Sequence, residues 1–282
     1  MKPRYHWFKE IGINLLLVLI SLFFAFPILW LVLMSIKQPQ DTFKLPPVLW
    51  FSPTLESYKQ LLFRSHYSIG LDFWRLFRNS AISAMVAAAL SMFVASLGAY
   101  SLSRFYFRGK KLLSFIIIAT RMLPPLASAI PLFLFAFRLG MIDTLFILST
   151  VYCVINIPFA LWMLRGFMDQ VPTELEESAM IDGCTRFGAM LRIVMPLIGP
   201  GLGATAIFTF LNSWNDFALA LVLTNKNAMT LPLVAMSFIT EEGVYWGPMS
   251  AAITLIAAPA VLFVIVAQGY LAKGLTMGAV KG

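Results

Sequence analysis

Charge is what this sequence has least of. Of its 282 residues, 12% are Asp, Glu, Lys or Arg, about half of the ~25% usual in a soluble chain. Apolar residues, with glycine left out, make up 60%. Too little polar surface remains to coat a water-soluble domain. Histidine and cysteine are also scarce, two of each. His6 and His66 lie far apart without a cluster, Cys153 sits in an apolar run and Cys184 in a polar loop. Neither a metal site, a disulfide framework nor a catalytic histidine is expected. No Gly-x-x-x-x-Gly-Lys-Ser/Thr run exists, so the chain has no phosphate-binding loop of its own. With the histidines peripheral and the one acidic cluster, Glu174 to Asp182, on a docking surface, an enzyme is not expected, and energy for any pumping would come from another chain or an ion gradient. The net charge of +8 comes without an arginine-rich stripe or stacking platform, which excludes nucleic acid as a partner.

What the sequence has in abundance is uncharged intervals. Ile11–Ile36, Asn79–Ser103, Thr144–Leu164, Ile193–Asn215 and Gly243–Ala272 each exceed 20 residues, enough for a helix to cross a ~30 Å hydrocarbon core. A sixth, Leu112–Phe137, is broken only by Arg121. None shows a polar face at helical period. The expected fold is an all-α polytopic membrane protein: a single transmembrane domain over 1–282, with six spans near 11–36, 79–103, 112–137, 144–166, 197–222 and 248–271. The N-terminal apolar run is too long for a signal peptide and is kept as the first span.

The short basic cluster Arg104, Arg108, Lys110 and Lys111 resists translocation, which places both termini in the cytoplasm. The segment 37–78 then lies outside, with Pro46, Pro47, Pro53, Trp50, Tyr58 and Tyr67 suggesting a cap on the membrane surface. It reads either as a contact for an external partner or as a plain connector. Span two is rich in alanine and serine, suited to close helix packing in lipid. Span three contains Pro124 and Pro125, which should kink or open it.

The informative inner connection is the polar segment 168–196, between spans four and five. Thr173 with Glu176 three residues on makes a capping-box pattern. Glu174, Glu176 and Glu177 suit the positive end of a helix dipole. Gly183 can take the left-handed conformation that ends a helix. A second short helix is expected from Thr185, with Phe187, Met190, Leu191 and Val194 on one face and Pro196 as its stop. The result is a helix–glycine–helix elbow. It could be an interfacial helix, but its acidity and its few apolar residues, Leu175, Ala179 and Ile181, favour a protein partner.

This segment resembles the cytoplasmic coupling motif of ATP-binding-cassette importer permeases: Glu177-Ser178-Ala179, Gly183, Ile193 and Met195-Pro196 keep the family's spacing, with Ser178 and Met195 as the two departures. Nearly the whole chain is similar to the MalG-like sugar-importer permeases. Leu45-Pro46-Pro47 with Asn79-Ser80, Ala99-Tyr100-Ser101-Leu102-Ser103-Arg104-Phe105 and Trp214-Asn215-Asp216-Phe217 occur in the family's order. So does the C-terminal stretch Gly274-Leu275-Thr276-Met277-Gly278-Ala279-Val280-Lys281-Gly282. The resemblance implies a type I importer fold with a homologous second permease subunit, two cytoplasmic ATPase subunits that carry ATP and Mg, and an external solute-binding protein. It implies no cofactor on this chain. It also implies a bacterial inner-membrane location, and docking of Glu177, Ala179, Asp182 and Gly183 on an ATPase.

For the solute, Thr205, Thr209, Asn212 and Asp216 recur at helical spacing on one side of span five. They line a path or act as interhelical glue; near the outer end Asn215 and Asp216 could also be headgroup contacts. Asn156 and Tyr152 in span four are further candidates, the tyrosine stacking on a sugar ring or packing. Arg121 pairs with an acid, meets an anionic solute or snorkels to the surface. The expected function is an ATP-driven import permease for a sugar, sugar alcohol or related polyol, working by alternating access. The alternative is an ion-gradient-driven secondary transporter, although Asp216 is the only acid within a span and lies off-centre.

Overall fold

The computed structural model describes residues 4–42, 44–63, 72–241 and 243–279. Its helices in chain order are α1 (Arg4–Ser35), α2 (Glu56–Phe63), α3 (Phe73–Arg104), α4 (Lys110–Ala119), α5 (Pro125–Arg138) and α6 (Leu145–Met168). There follow α7 (Thr173–Ile181), α8 (Arg186–Leu197), α9 (Gly199–Trp214), α10 (Ala218–Leu223) and α11 (Trp246–Ala279). One two-stranded antiparallel hairpin, β1 (Ile239–Thr240) and β2 (Gly243–Val244), pairs Ile239 with Val244.

The chain divides into two compact units, Met1–Asp72 with Val234–Ala257, and Phe73–Leu233 with Ala258–Gly282. In the first, α1 is apolar on every side and keeps Leu15, Leu16, Phe23 and Phe24 exposed, as a helix does when lipid or another chain is its solvent. The segment after it is tied back by Thr54 N–H to Ile36 O (2.8 Å) and by the Ser35 and Tyr58 hydroxyls (2.8 Å). The expected surface cap is thus an irregular proline-rich stretch followed by α2; Tyr67 and His66 lie outside the described residues.

The second unit is built on α3 against α6. Ala84, Ala87, Ser91, Ala95 and Ala99 are buried at intervals of three or four, a small-residue stripe that lets backbones approach where lipid supplies no hydrophobic drive. At Gly98 a Cβ would stand 2.8 Å from Leu161 Cδ1, and at Gly201 of α9 one would stand 2.4 Å from the Phe167 ring of α6. The approach at Gly201 needs glycine, because a whole ring stands in the way; at Gly98 the end of the Leu161 side chain would have to shift. Two apolar clusters result: one around Leu148, Val151, Leu219 and Leu223, the other around Ala95, Leu164, Met168, Met190 and Val194.

Among the described residues four helices are long and apolar enough to cross a membrane, and up to six spans result if each of two bent pairs is one span. Span three is two legs at 95°, because Leu123 and Pro124 are extended (ψ 125° and 134°), as residues preceding proline are driven to be. The 81° turn between α8 and α9 falls at the expected start of span five, but within 197–222 the helix stops at Trp214 and resumes as the separate α10.

Candidate functional site

The elbow forms, but not by the expected capping box. α7 follows Pro172 with no side-chain cap, and Glu176 turns inward instead. It is 4% exposed, accepts the Tyr100 hydroxyl at 2.6 Å and pairs with Arg104 Nε. Arg104 Nη2 also donates to Val171 O at 2.8 Å. A carboxylate and a guanidinium that pair inside protein gain more than a surface carboxylate gains from one backbone N–H. Beside them Ser103 Oγ donates to Asp169 Oδ1 (2.6 Å), Arg165 approaches Asp169 at 3.4 Å, and Arg186 lies over the Phe105 ring at 5.0 Å. The end of α3, the end of α6 and the elbow are therefore one hydrogen-bonded body.

Gly183 ends α7 at φ 91°, with Gly183 N–H to Met180 O (3.1 Å) and Cys184 N–H to Ala179 O (2.9 Å), the paired bonds of a Schellman turn. Thr185 then caps α8 by accepting Gly188 N–H at 3.0 Å. Only half of the expected apolar face is buried: Met190 and Val194 are, while Phe187 (57%) and Leu191 (49%) are exposed. A π turn over Met190–Val194 adds a residue per turn and shifts the face. On the open side stand Glu177, Ser178, Asp182, Gly183 and Pro196, with Ile181 86% exposed; Ala179 and Ile193 are half-buried. This ridge is acidic with an apolar tip.

The polar residues of α6 and α9 meet one another. Asn156 Nδ2 donates to Ser213 Oγ (2.8 Å) and Thr209 O (3.3 Å), and its Oδ1 accepts Asn212 Nδ2 at 2.8 Å. Tyr152, 2% exposed, donates to Asp216 Oδ1 at 3.1 Å. The same oxygen accepts Leu219 and Ala220 N–H, so Asp216 starts α10. Thr205 and Thr209 are fully buried and bond carbonyls of their own helix. That placement corrects the expectation of a path along all four residues: a hydroxyl one turn above a carbonyl satisfies itself and packs. Asn212 and Asn215 remain exposed. Arg121 has no ion pair among the described residues; it donates to Ile155 O (3.3 Å) and lies 5.5 Å from the Phe159 ring.

Two further groups were given no role by the sequence reading, although Asn79-Ser80 carry part of the resemblance. Asp143, at φ 62°, accepts the N–H groups of Asn225, Lys226, Asn227 and Ala228 at 3.0–3.1 Å and the Asn227 amide at 2.9 Å. Partial burial pushes this carboxyl up, but the four backbone donors outweigh it and hold it below the usual range. Asn79 donates to Asn227 O (2.8 Å) and Met229 O (2.9 Å), and Ser80 accepts Leu231 N–H (2.7 Å). An Asp shortly before a predicted helix was the only local hint. Gly274, Leu275, Thr276 and Gly278 belong to α11; Lys281 lies outside the described residues.

Residues 87–277 match the family described as binding-protein-dependent transport system inner membrane component. The chain is 36% identical over 281 residues to the diacetylchitobiose uptake system permease protein DasC of Streptomyces coelicolor, covering 98% of each. It is 32% identical to the trehalose/maltose transport system permease protein MalG of Thermococcus litoralis, covering 94% of each. A probable ABC transporter permease, y4oR of Sinorhizobium fredii, is 38% identical over 92% of this chain and 91% of that one. Among solved structures, a bacterial ABC transporter involved in import of the acidic polysaccharide alginate superposes with TM-score 0.75 at 22% identity, covering 96% of this chain and 99% of that chain. A likeness at that identity establishes the shared importer-permease fold.

Proposed function

The chain belongs to the binding-protein-dependent transport system inner membrane component family, and on that premise we propose that it is the multi-pass permease subunit of an ATP-driven importer for a carbohydrate or polyol. The relatives' names, diacetylchitobiose and trehalose/maltose permeases, support that solute class. In this reading the chain pairs with a homologous second permease and receives solute from an external binding protein. Two ATPase subunits drive it from the cytoplasm and carry ATP and Mg; this chain binds neither and hydrolyses nothing.

The observation that carries the reading is the elbow. Its exposed ridge of Glu177, Ser178, Asp182 and Gly183 is turned outward, while Glu176 in the same short helix is bolted to Arg104 at the end of α3. A push on the ridge reaches α3 through that buried pair, α6 through residues 169–172 and α9 through α8. The ridge is thus suited to deliver ATPase closure to three spans at once, which alternating access requires. Asn212, Asn215 and Asp216 supply amides and a carboxylate that can hydrogen-bond a polyol. Affinity purification of the assembled complex, with mass spectrometry of partners and bound solute, tests the reading. It expects an ATPase and a second permease to co-purify; transport against a gradient by the purified chain alone would overturn it.

A further inference from the structure

We propose that the cavity beside Lys37 seats the phosphate of a phospholipid headgroup, phosphatidylethanolamine in particular. Lys37 follows two residues after the end of α1 at Ser35, and Tyr245 and Trp246 stand where the apolar part of α11 begins. Two long helices change from apolar to polar sequence at this cavity, which sets it at headgroup depth. The volume is about 210 Å³, and Thr54, Glu56, Ser57 and Gln60 complete its polar wall.

Interfacial lysines usually extend their ammonium into water. Lys37 does the opposite. It is 2% exposed, its Nζ lies 5.0 Å from the Trp30 ring and 5.3 Å from the Phe51 ring, and it makes no ion pair among the described residues. Aromatic faces offset part of the cost of enclosing this charge; an anion completes the balance. Ser57, 7% exposed, has a hydroxyl without a hydrogen bond among the described residues. Thr54 Oγ1 accepts Glu56 N–H at 3.2 Å and keeps its own hydrogen to donate. An ammonium and two hydroxyl donors match phosphate oxygens, which only accept.

A free inorganic anion shares that chemistry, and position favours the lipid. The loop that brings Phe51 to Lys37 also exposes Leu45 (90%), Leu49 (64%) and Trp50 (94%), side chains suited to the acyl–headgroup boundary. Glu56 on the same wall bonds the Gln60 amide at 3.2 Å, and its negative charge favours a headgroup with its own ammonium over phosphatidylglycerol.

Native mass spectrometry of the complex released from nanodiscs tests this by counting retained lipids. In phosphatidylethanolamine–phosphatidylcholine discs, the wild type and Lys37→Arg are expected to hold one phosphatidylethanolamine more than Lys37→Met, and Ser57→Ala to hold it less firmly. Circular dichroism checks that each variant is folded; should Lys37→Met not fold, Ser57→Ala decides. Equal retention across wild type and the informative variant overturns the site, as does equal retention of the two lipids by the wild type in phosphatidylethanolamine–phosphatidylglycerol discs. Inorganic phosphate that raises the Tm of the delipidated wild type as strongly as the lipid does, but not that of Lys37→Met or Ser57→Ala, would mark a free-anion site instead and overturn the lipid assignment.

Discussion

Arg104 and Glu176 stand 72 residues apart in sequence and form an ion pair in which the two side chains are 8% and 5% exposed. The pair joins the end of α3 to the first helix of the elbow, and Tyr100 Oη, one turn earlier on α3, donates to the second carboxylate oxygen. Pairing both oxygens in one buried place makes the joint stiff, because each oxygen has a partner that cannot move without leaving a charge unpaired.

Breaking that joint from one side has a defined outcome. Arg104→Ala leaves Glu176 buried and uncompensated, at a cost of about 3–5 kcal/mol. A large fall in Tm is expected, with Glu176→Gln falling less because the amide still accepts from Tyr100. In reconstituted complexes that remain folded, ATP hydrolysis should persist while uptake per ATP drops several-fold. Uptake per ATP equal to wild type would show that the pair transmits nothing.

Gly183 tests the elbow's shape. Its φ of 91° costs an ordinary residue about 1–2 kcal/mol, and a β-branched one more. Gly183→Val should insert normally yet bind the ATPase poorly and uncouple hydrolysis from uptake. Gly183→Asn, which tolerates the left-handed region, should recover most of the coupling. Pull-down of the ATPase together with uptake assays reads both.

Asp143 predicts a pH dependence. Its folded-state pKa lies below the unfolded value of roughly 3.9, so the unfolded chain holds the proton more tightly. The resulting stability is fully present above that value and is lost as pH falls through the folded pKa. Asp143→Asn should lower Tm by a few degrees at pH 7, and the gap to wild type should close in acid. Thermal unfolding of both forms, from neutral pH down through and well below the roughly 3.9 of a free carboxyl, checks it; a constant gap refutes it.

The asparagines separate packing from passage. Asn156 uses its whole amide between α6 and α9, so Asn156→Ala should cost about 1–3 kcal/mol and show in Tm. Asn212 is exposed. It also donates to Asn156 Oδ1, so Asn212→Ala should lower Tm, though less than Asn156→Ala, which loses all three bonds, and should raise the KM for uptake. A Tm loss without a KM change would make Asn212 structural.

How far each of these residues was legible in sequence varied with how local its cause is. Gly183 was readable because a left-handed end is a property of one residue and its neighbours. The break at Pro124 was readable for the same reason, though its 95° angle was not. Glu176 was misread as half of a capping box, since the pattern Thr-x-x-Glu cannot reveal that an arginine 72 residues away offers a better partner. Thr205 and Thr209 kept the spacing of a path but spend their hydroxyls on their own helix, and spacing alone does not say which side of a helix another helix covers.

The class of this protein, a bundle of apolar spans with one polar elbow, was determined by sequence alone. Hydrocarbon excludes charge and unsatisfied backbone over some 20 residues at a time, and that demand is written in local composition. Which polar group meets which was decided by the tertiary structure. A carboxylate such as Asp143 or Glu176 can be satisfied by water, by its own helix or by a distant chain segment, and only the packing of residues 225–228 on Asp143, and of α3 and the elbow on Glu176, removes all options but one.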